Sequence, residues 1–219
     1  MQMSNHCSQI MMLRSKLKTK LDPMRYEHSL SVSFTCMNLA MRYGYDIDKA
    51  ELAGLMHDCG KRFADEIILK KCISHKIPVT DAEMKALPVL HAKLAGLLHD
   101  CAKYLTNEEM FALCEKLEIP LSESEKSTPA VIHGKLGAKL AVLRYGIEDD
   151  EICSAIACHT TGKADMSVLD KIVYIADYIE PRRYKADNLP QMRRLAYEDL
   201  DQTMYEILKS TLEYLAKKG

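Results

Sequence analysis

The chain has no tryptophan, only 3 phenylalanines, and only 9 glycines and 7 prolines in 219 residues. So little Gly and Pro excludes a collagen-like or low-complexity chain. No apolar run approaches the roughly 20 residues needed to span a bilayer. Neither sign of charge is in excess, with 30 Lys and Arg against 31 Asp and Glu. That balance argues against a nucleic-acid binder relying on bulk positive charge, and against a disordered acidic tail. No pair of cysteines is spaced as C-x-x-C, so a zinc ribbon or thioredoxin-like motif has no support. Met1–Leu21 carries charge after its apolar patch and has no small-residue cleavage site, unlike a signal peptide.

What is present is a helical chain with a core. Apolar residues make up 47% of it, and its length suffices for one large domain or two small ones. The 8 cysteines read as reduced thiols acting as small core hydrophobes in a cytoplasmic protein. Residues 1–21 read as a short amphipathic helix, a helical extension ahead of a domain over 22–219; the alternative is a weak membrane-surface contact.

Asp22-Pro23 supplies a cap and an N1 proline for a long helix. Leu30, Phe34, Met37 and Met41 recur at helical steps, and Gly44 is its stop. Asp48 is the expected cap of a second helix reaching Lys61. Thr106-Asn-Glu-Glu109 and Ser167-Val-Leu-Asp170 fit N-terminal capping patterns, and Pro181 ends the helix begun at Ser167. No run alternates with period two between turn signals. The fold class is all-α.

Residues 50–96 and 92–138 read as an internal repeat with a shift of 42. His57-Asp58 recurs as His99-Asp100, Gly54 as Gly96, Lys61 as Lys103, Cys72 as Cys114 and His91 as His133. Two copies are too few for a solenoid, so a tandem duplication inside one helical domain is the better reading. A long helix over 81–103 is expected at the seam.

His28, His57-Asp58, His133, His159 and Asp177 each lie in or beside apolar helical sequence. A lone histidine there is more often a satisfied core residue than a ligand, and His6 and His75 read that way. Asp177 within an apolar stretch is costly to bury unless paired or bound to a metal. One buried metal cluster satisfies the whole set, whereas the alternative needs a separate partner for each group. Imidazole and carboxylate suit iron, manganese or zinc.

The order His, His-Asp, distant Asp resembles the HD superfamily of metal-dependent phosphohydrolases. Arg25-Tyr-Glu-His-Ser29, Ala53-Gly-Leu-Met-His-Asp58, His133-Gly-Lys-Leu-Gly-Ala138, His159-Thr-Thr-Gly162 and Ile175-Ala-Asp-Tyr-Ile-Glu-Pro-Arg182 resemble the YqeK family, symmetrical bis(5'-nucleosyl)-tetraphosphatases. The resemblance runs from about Met24 to the C-terminus. It implies an HD-domain helical bundle, here with an extra duplicated helical segment. It also implies two divalent metal ions, iron in that family, with manganese or zinc as alternatives.

Carried over by motif, His28, His57, Asp58 and Asp177 hold one metal, and Asp58, His133 and His159 the other, with Asp58 bridging. Two ions about 3.5–4 Å apart can share a hydroxide that attacks a polyphosphate, here diadenosine tetraphosphate, to give two ADP. Lys61 or Lys103 can reach a phosphate. Thr160, Thr161, Lys163 and Arg182 lie beside ligand motifs as candidate phosphate contacts; for Lys163 and Arg183 plain solvated charge is an equal alternative. Any base stacking falls to a tyrosine.

The duplication offers two routes to a site. One takes His57-Asp58 from the first copy and His133 from the second, and is preferred for chain continuity. The other uses His99-Asp100, with His91 as a further alternate. The alternatives to a tetraphosphatase are another HD-type nucleotide phosphohydrolase, or a catalytically impaired helical nucleotide-binding protein. The expected partner is a small nucleotide, not nucleic acid or membrane, with a swapped homodimer as one outcome the repeat allows.

Overall fold

In a computed structural model of the chain, the residues described are 5–19, 21, 23–59, 107–184 and 186–218. The repeat seam, the expected helix over 81–103, Lys61, His91, His99, Asp100 and Lys103 all lie outside them. Ten α-helices and one short 3-10 turn make up the regular structure of the described residues, with no strand among them.

Helix α1 (Asn5–Lys18) is amphipathic: Ile10, Leu13 and Leu17 are buried while Met11 and Met12 are exposed. Those buried residues belong to the same apolar core as the rest of the chain. Arg14 on α1 reaches Glu51 at 2.8 Å, and the His6 ring lies 3.1 Å from the same carboxylate.

Helix α2 (Pro23–Tyr43) begins at its proline and stops before Gly44. Helix α3 (Ile47–Met56) is capped by Asp46, whose carboxylate accepts from the Lys49 amide at 3.0 Å, and not by Asp48. Asp48 lies in the first turn, where a carboxylate also favours the helix dipole. The helix closes at Met56, short of Lys61, so the His57-Asp58 pair follows its last turn. Gly54 makes the α2–α3 packing close: a Cβ there would sit 2.7 Å from Cys36 Sγ.

After α4 (Asn107–Lys116) and α5 (Glu123–Ser127), the turn Pro129–Val131 leads into α6 (His133–Tyr145). Helix α7 (Asp150–Cys158) is capped by Asp149, and α8 (Val168–Ile179) by a Ser167–Asp170 capping box. Helix α8 ends before Pro181 as expected, with Glu180 as its C-cap. Helices α9 (Leu189–Leu195) and α10 (Leu200–Lys218) close the described chain.

The core lies among α2, α3, α7 and α8, filled by Leu39, Leu55, Met56, Ile156, Leu169 and Ile172, all fully buried. Gly134 lets α6 abut α7, because a Cβ there would meet the Ala157 carbonyl oxygen at 2.5 Å. That contact sets the start of α6 against the end of α7. Cys36, Cys59, Cys114 and Cys158 are buried, and no described cysteine is disulfide-bonded. Among the described residues no helix is long and apolar enough to cross a membrane.

Candidate metal centre

Four elements deliver ring nitrogens to one place. His28 comes from the second turn of α2, His57 and His159 from the C-caps of α3 and α7, and His133 from the first residue of α6. Neighbouring rings meet edge to face, with centroids 5.0–5.1 Å apart. The Nε2 atoms of His28 and His57 are 3.2 Å apart, and those of His133 and His159 are 3.1 Å apart.

Asp58 joins the two pairs. Its Oδ1 lies 3.6 Å from His57 Nε2, 3.8 Å from His133 Nε2 and 3.5 Å from His159 Nε2. Its Oδ2 lies 3.9 Å from His28 Nε2. Asp177 on α8 also reaches the cluster, with Oδ1 at 3.1 Å from His28 Nε2 and 3.8 Å from His57 Nε2. The structure thus brings together all six positions that the motifs single out. Two groups have metal-ligating spacing: His28, His57 and Asp58, and Asp58, His133 and His159.

The donor chemistry fits a cation. The Nδ1 atoms of His57, His133 and His159 each lie 2.7 Å from a main-chain carbonyl, of Gly54, Ala130 and Ile156 respectively. A carbonyl only accepts, so each Nδ1 carries the proton, and in a neutral ring Nε2 presents a lone pair. Burial, against the pull of Asp58 and Asp177, pushes the His57 pKa down to about 4, so that ring is neutral at pH 7. Lone pairs and carboxylate oxygens facing one another at 3–4 Å repel, and a divalent cation among them reverses the sign.

The electrostatics differ across the site. At His28 burial opposes protonation, but Asp177, Asp58 and Glu180 outweigh it and raise the pKa. At Asp177 burial favours the acid, but His28, His57 and Arg183 hold the carboxylate far below its ordinary range.

The flanking residues divide. Thr160 Oγ1 stands 3.1 Å from His133 Nε2, at the rim of the cluster. Thr161 turns its hydroxyl to the Gly162 carbonyl at 3.0 Å. Lys163 is held by Ser154 and by buried Asp170, the latter at 2.9 Å, which ties the α7–α8 connection. Arg182 extends to Glu27, 3.5 Å away. Arg183, given no preference over solvated charge by sequence, is the arginine on the cluster: its Nη2 donates to Asp177 Oδ1 at 2.7 Å. Glu180 stands beside the centre at 3.3 Å from His28 Nδ1, and nothing in its local sequence signals that contact. A cleft of about 630 Å³ opens past Arg183, lined by Tyr178, Asn188, Ser210 and Tyr214 among others.

The fold and site define an all-helical protein with a histidine–aspartate centre suited to divalent cations. The HD domain signature matches residues 25–85 and 73–182, two overlapping stretches that cover most of the chain. A symmetrical bis(5'-nucleosyl)-tetraphosphatase of Halalkalibacterium halodurans is 31% identical over 93% of this chain and 85% of its own length. One from Staphylococcus aureus is 33% identical over 92% of this chain and 82% of its own. A crystal structure from Clostridium acetobutylicum, described as that of a predicted HD superfamily hydrolase involved in NAD metabolism, is 30% identical. It superposes with a TM-score of 0.61, covering 94% of this chain and 87% of that one. The chain belongs to the HD-domain hydrolases, in the family of the symmetrical bis(5'-nucleosyl)-tetraphosphatases.

Proposed function

We propose that this enzyme hydrolyses diadenosine tetraphosphate, or a related dinucleoside polyphosphate, symmetrically to two ADP. The observation that carries the reading is Asp58, a buried carboxylate within 4 Å of all four ring Nε2 atoms. The near full-length match to tetraphosphatases supports the substrate class. In this reading His28, His57, Asp58 and Asp177 hold one divalent ion and Asp58, His133 and His159 the other, both iron. Bound ions supply Lewis-acid neutralisation of phosphate charge and a water of lowered pKa.

The chain's own residues do the rest. Water adds to phosphorus on one side of the central P–O–P bridge; that bridge breaks, and two ADP leave. Arg183, with one nitrogen on Asp177, offers its remaining donors to the phosphate oxygens, a geometry suited to phosphate. Thr160, whose hydroxyl lies 3.1 Å from His133 Nε2, offers a further contact to phosphate, and Thr161 and Arg182 act at the rim. Lys61 or Lys103 supplies a further phosphate contact. The cleft beside Arg183 takes a nucleoside, with Tyr178 or Tyr214 as the stacking face that a chain without tryptophan must find among its tyrosines. The domain spans 22–219 with 1–21 as a helical extension, and it works in the cytoplasm on small nucleotides, as a monomer or a swapped homodimer.

The test is product identity. Iron-loaded protein, incubated without oxygen with diadenosine tetraphosphate, yields ADP as sole product. ATP plus AMP, or no turnover by metal-loaded protein, contradicts the reading.

A further inference from the structure

His57 and His159 close helices, and His133 follows a short 3-10 turn. There, carbonyls left over from the helical ladder are available, and each ring gives its Nδ1 proton to the carbonyl three residues back. His28 is different. It sits inside α2, where the carbonyls behind it are committed to the helix, so its Nδ1 needs a side-chain acceptor. That acceptor is Glu180 Oε1, 3.3 Å away.

Glu180 is itself placed by its surroundings. It is only 2% exposed and is the C-cap of α8. Its Oε2 accepts from the Arg182 amide at 2.8 Å. Arg193, from α9, donates to the carbonyls of Ile179, Glu180 and Arg183 at 2.8–2.9 Å. One guanidinium thus ties down the turn that carries Glu180 to His28 and Arg183 to Asp177.

We infer that Glu180 is a positioning residue for His28, holding its ring as the Nδ1–H tautomer with Nε2 aimed at the cation site. A carboxylate behind a ligating imidazole also raises its basicity, so the effect is on cation affinity at the His28 side of the centre. The inference rests on reading the cluster as a cation site and is independent of the substrate.

The test uses the full chain and its Glu180→Gln and Glu180→Ala variants, with Mn²⁺ titration as one readout and, separately, ¹⁵N-histidine NMR of the metal-free chain at alkaline pH, where the His28 ring is neutral. In Glu180→Ala one of two Mn²⁺ sites weakens by about 10–100-fold, the range for loss of such a partner, while the other keeps its affinity. The His28 Nδ1–H signature gives way to mixed tautomers. Glu180→Gln keeps an acceptor but no charge, so it holds the tautomer and loses less affinity. Should the alanine variant not fold, the Gln variant's selective loss at one site decides. Unchanged Mn²⁺ affinity at both sites with an unchanged His28 tautomer overturns the inference. A native chain that binds no Mn²⁺ overturns the inference together with the cation-site reading it rests on. None of these readouts requires turnover, so failure of the hydrolase reading is separately visible.

Discussion

The Nε2 atoms of His133 and His159 face each other at 3.1 Å while both Nδ1 atoms are committed to main-chain carbonyls. The backbone imposes this pairing, since Gly134 lets the two helix ends touch and each helix end supplies an unclaimed carbonyl. The ring orientations are therefore built into the helical framework, before any cation or substrate arrives.

Gly134→Ala tests that framework. The added Cβ would lie 2.5 Å from the Ala157 carbonyl, a backbone atom that cannot turn aside. The expected cost is about 1–3 kcal/mol. Thermal unfolding reads this as a drop of about 2–4 °C per kcal/mol for a chain of this size. Mn²⁺ affinity at the His133–His159 side falls with it. A variant with native melting temperature and native affinity refutes the close-contact argument.

Two adjacent arginines are expected to differ in weight. Arg183 bonds Asp177 at 2.7 Å, whereas Arg182 reaches out to Glu27 at 3.5 Å. Loss of a charged hydrogen bond costs about 1.5–3 kcal/mol. Arg183→Ala is therefore expected to lower kcat/KM for the dinucleotide about 10–100-fold, and Arg182→Ala to lower it much less. Steady-state kinetics of the two variants check this; equal effects would remove Arg183 from its assigned place.

The buried His57 ring gives a pH dependence with a definite sign. Its pKa falls from the ordinary 6.5 to about 4 on folding, because burial disfavours the imidazolium. Above pH 6.5 both states are neutral and nothing is lost. Between pH 6.5 and 4 the unfolded chain takes up the proton first, so stability declines, by about 3 kcal/mol at most. His28 works the other way, since its raised pKa stabilises below 6.5 and that contribution fades as pH rises through the raised value. Denaturant titrations in the presence of chelator should show a shallower decline toward pH 4 for His57→Gln than for the native chain. An equal slope contradicts the assignment.

Helix identity and the six clustered positions were legible because each rests on local signals: caps, helical spacing, and ionisable residues embedded in apolar sequence. The error at α3 was one of register. Asp46 and Asp48 are both acceptable caps, and only the Asp46 carboxylate meets an amide three residues on. The choice between Arg182 and Arg183 was invisible because the turn after Pro181 decides which side chain faces Asp177. Glu180 carried no signal because its role depends on a contact across 152 residues of chain. Lys163, beside a ligand motif in sequence, is engaged by Asp170, a contact set by how α7 and α8 pack.

One centre takes its His57-Asp58 pair from the end of α3 and its other histidines from α2, α6 and α7. Paired metal counts and turnover of His57→Ala and His99→Ala test it most directly. His57→Ala is expected to lose bound metal and turnover while His99→Ala keeps both. Loss confined to His99→Ala would contradict it and assign the centre to the His99-Asp100 pair.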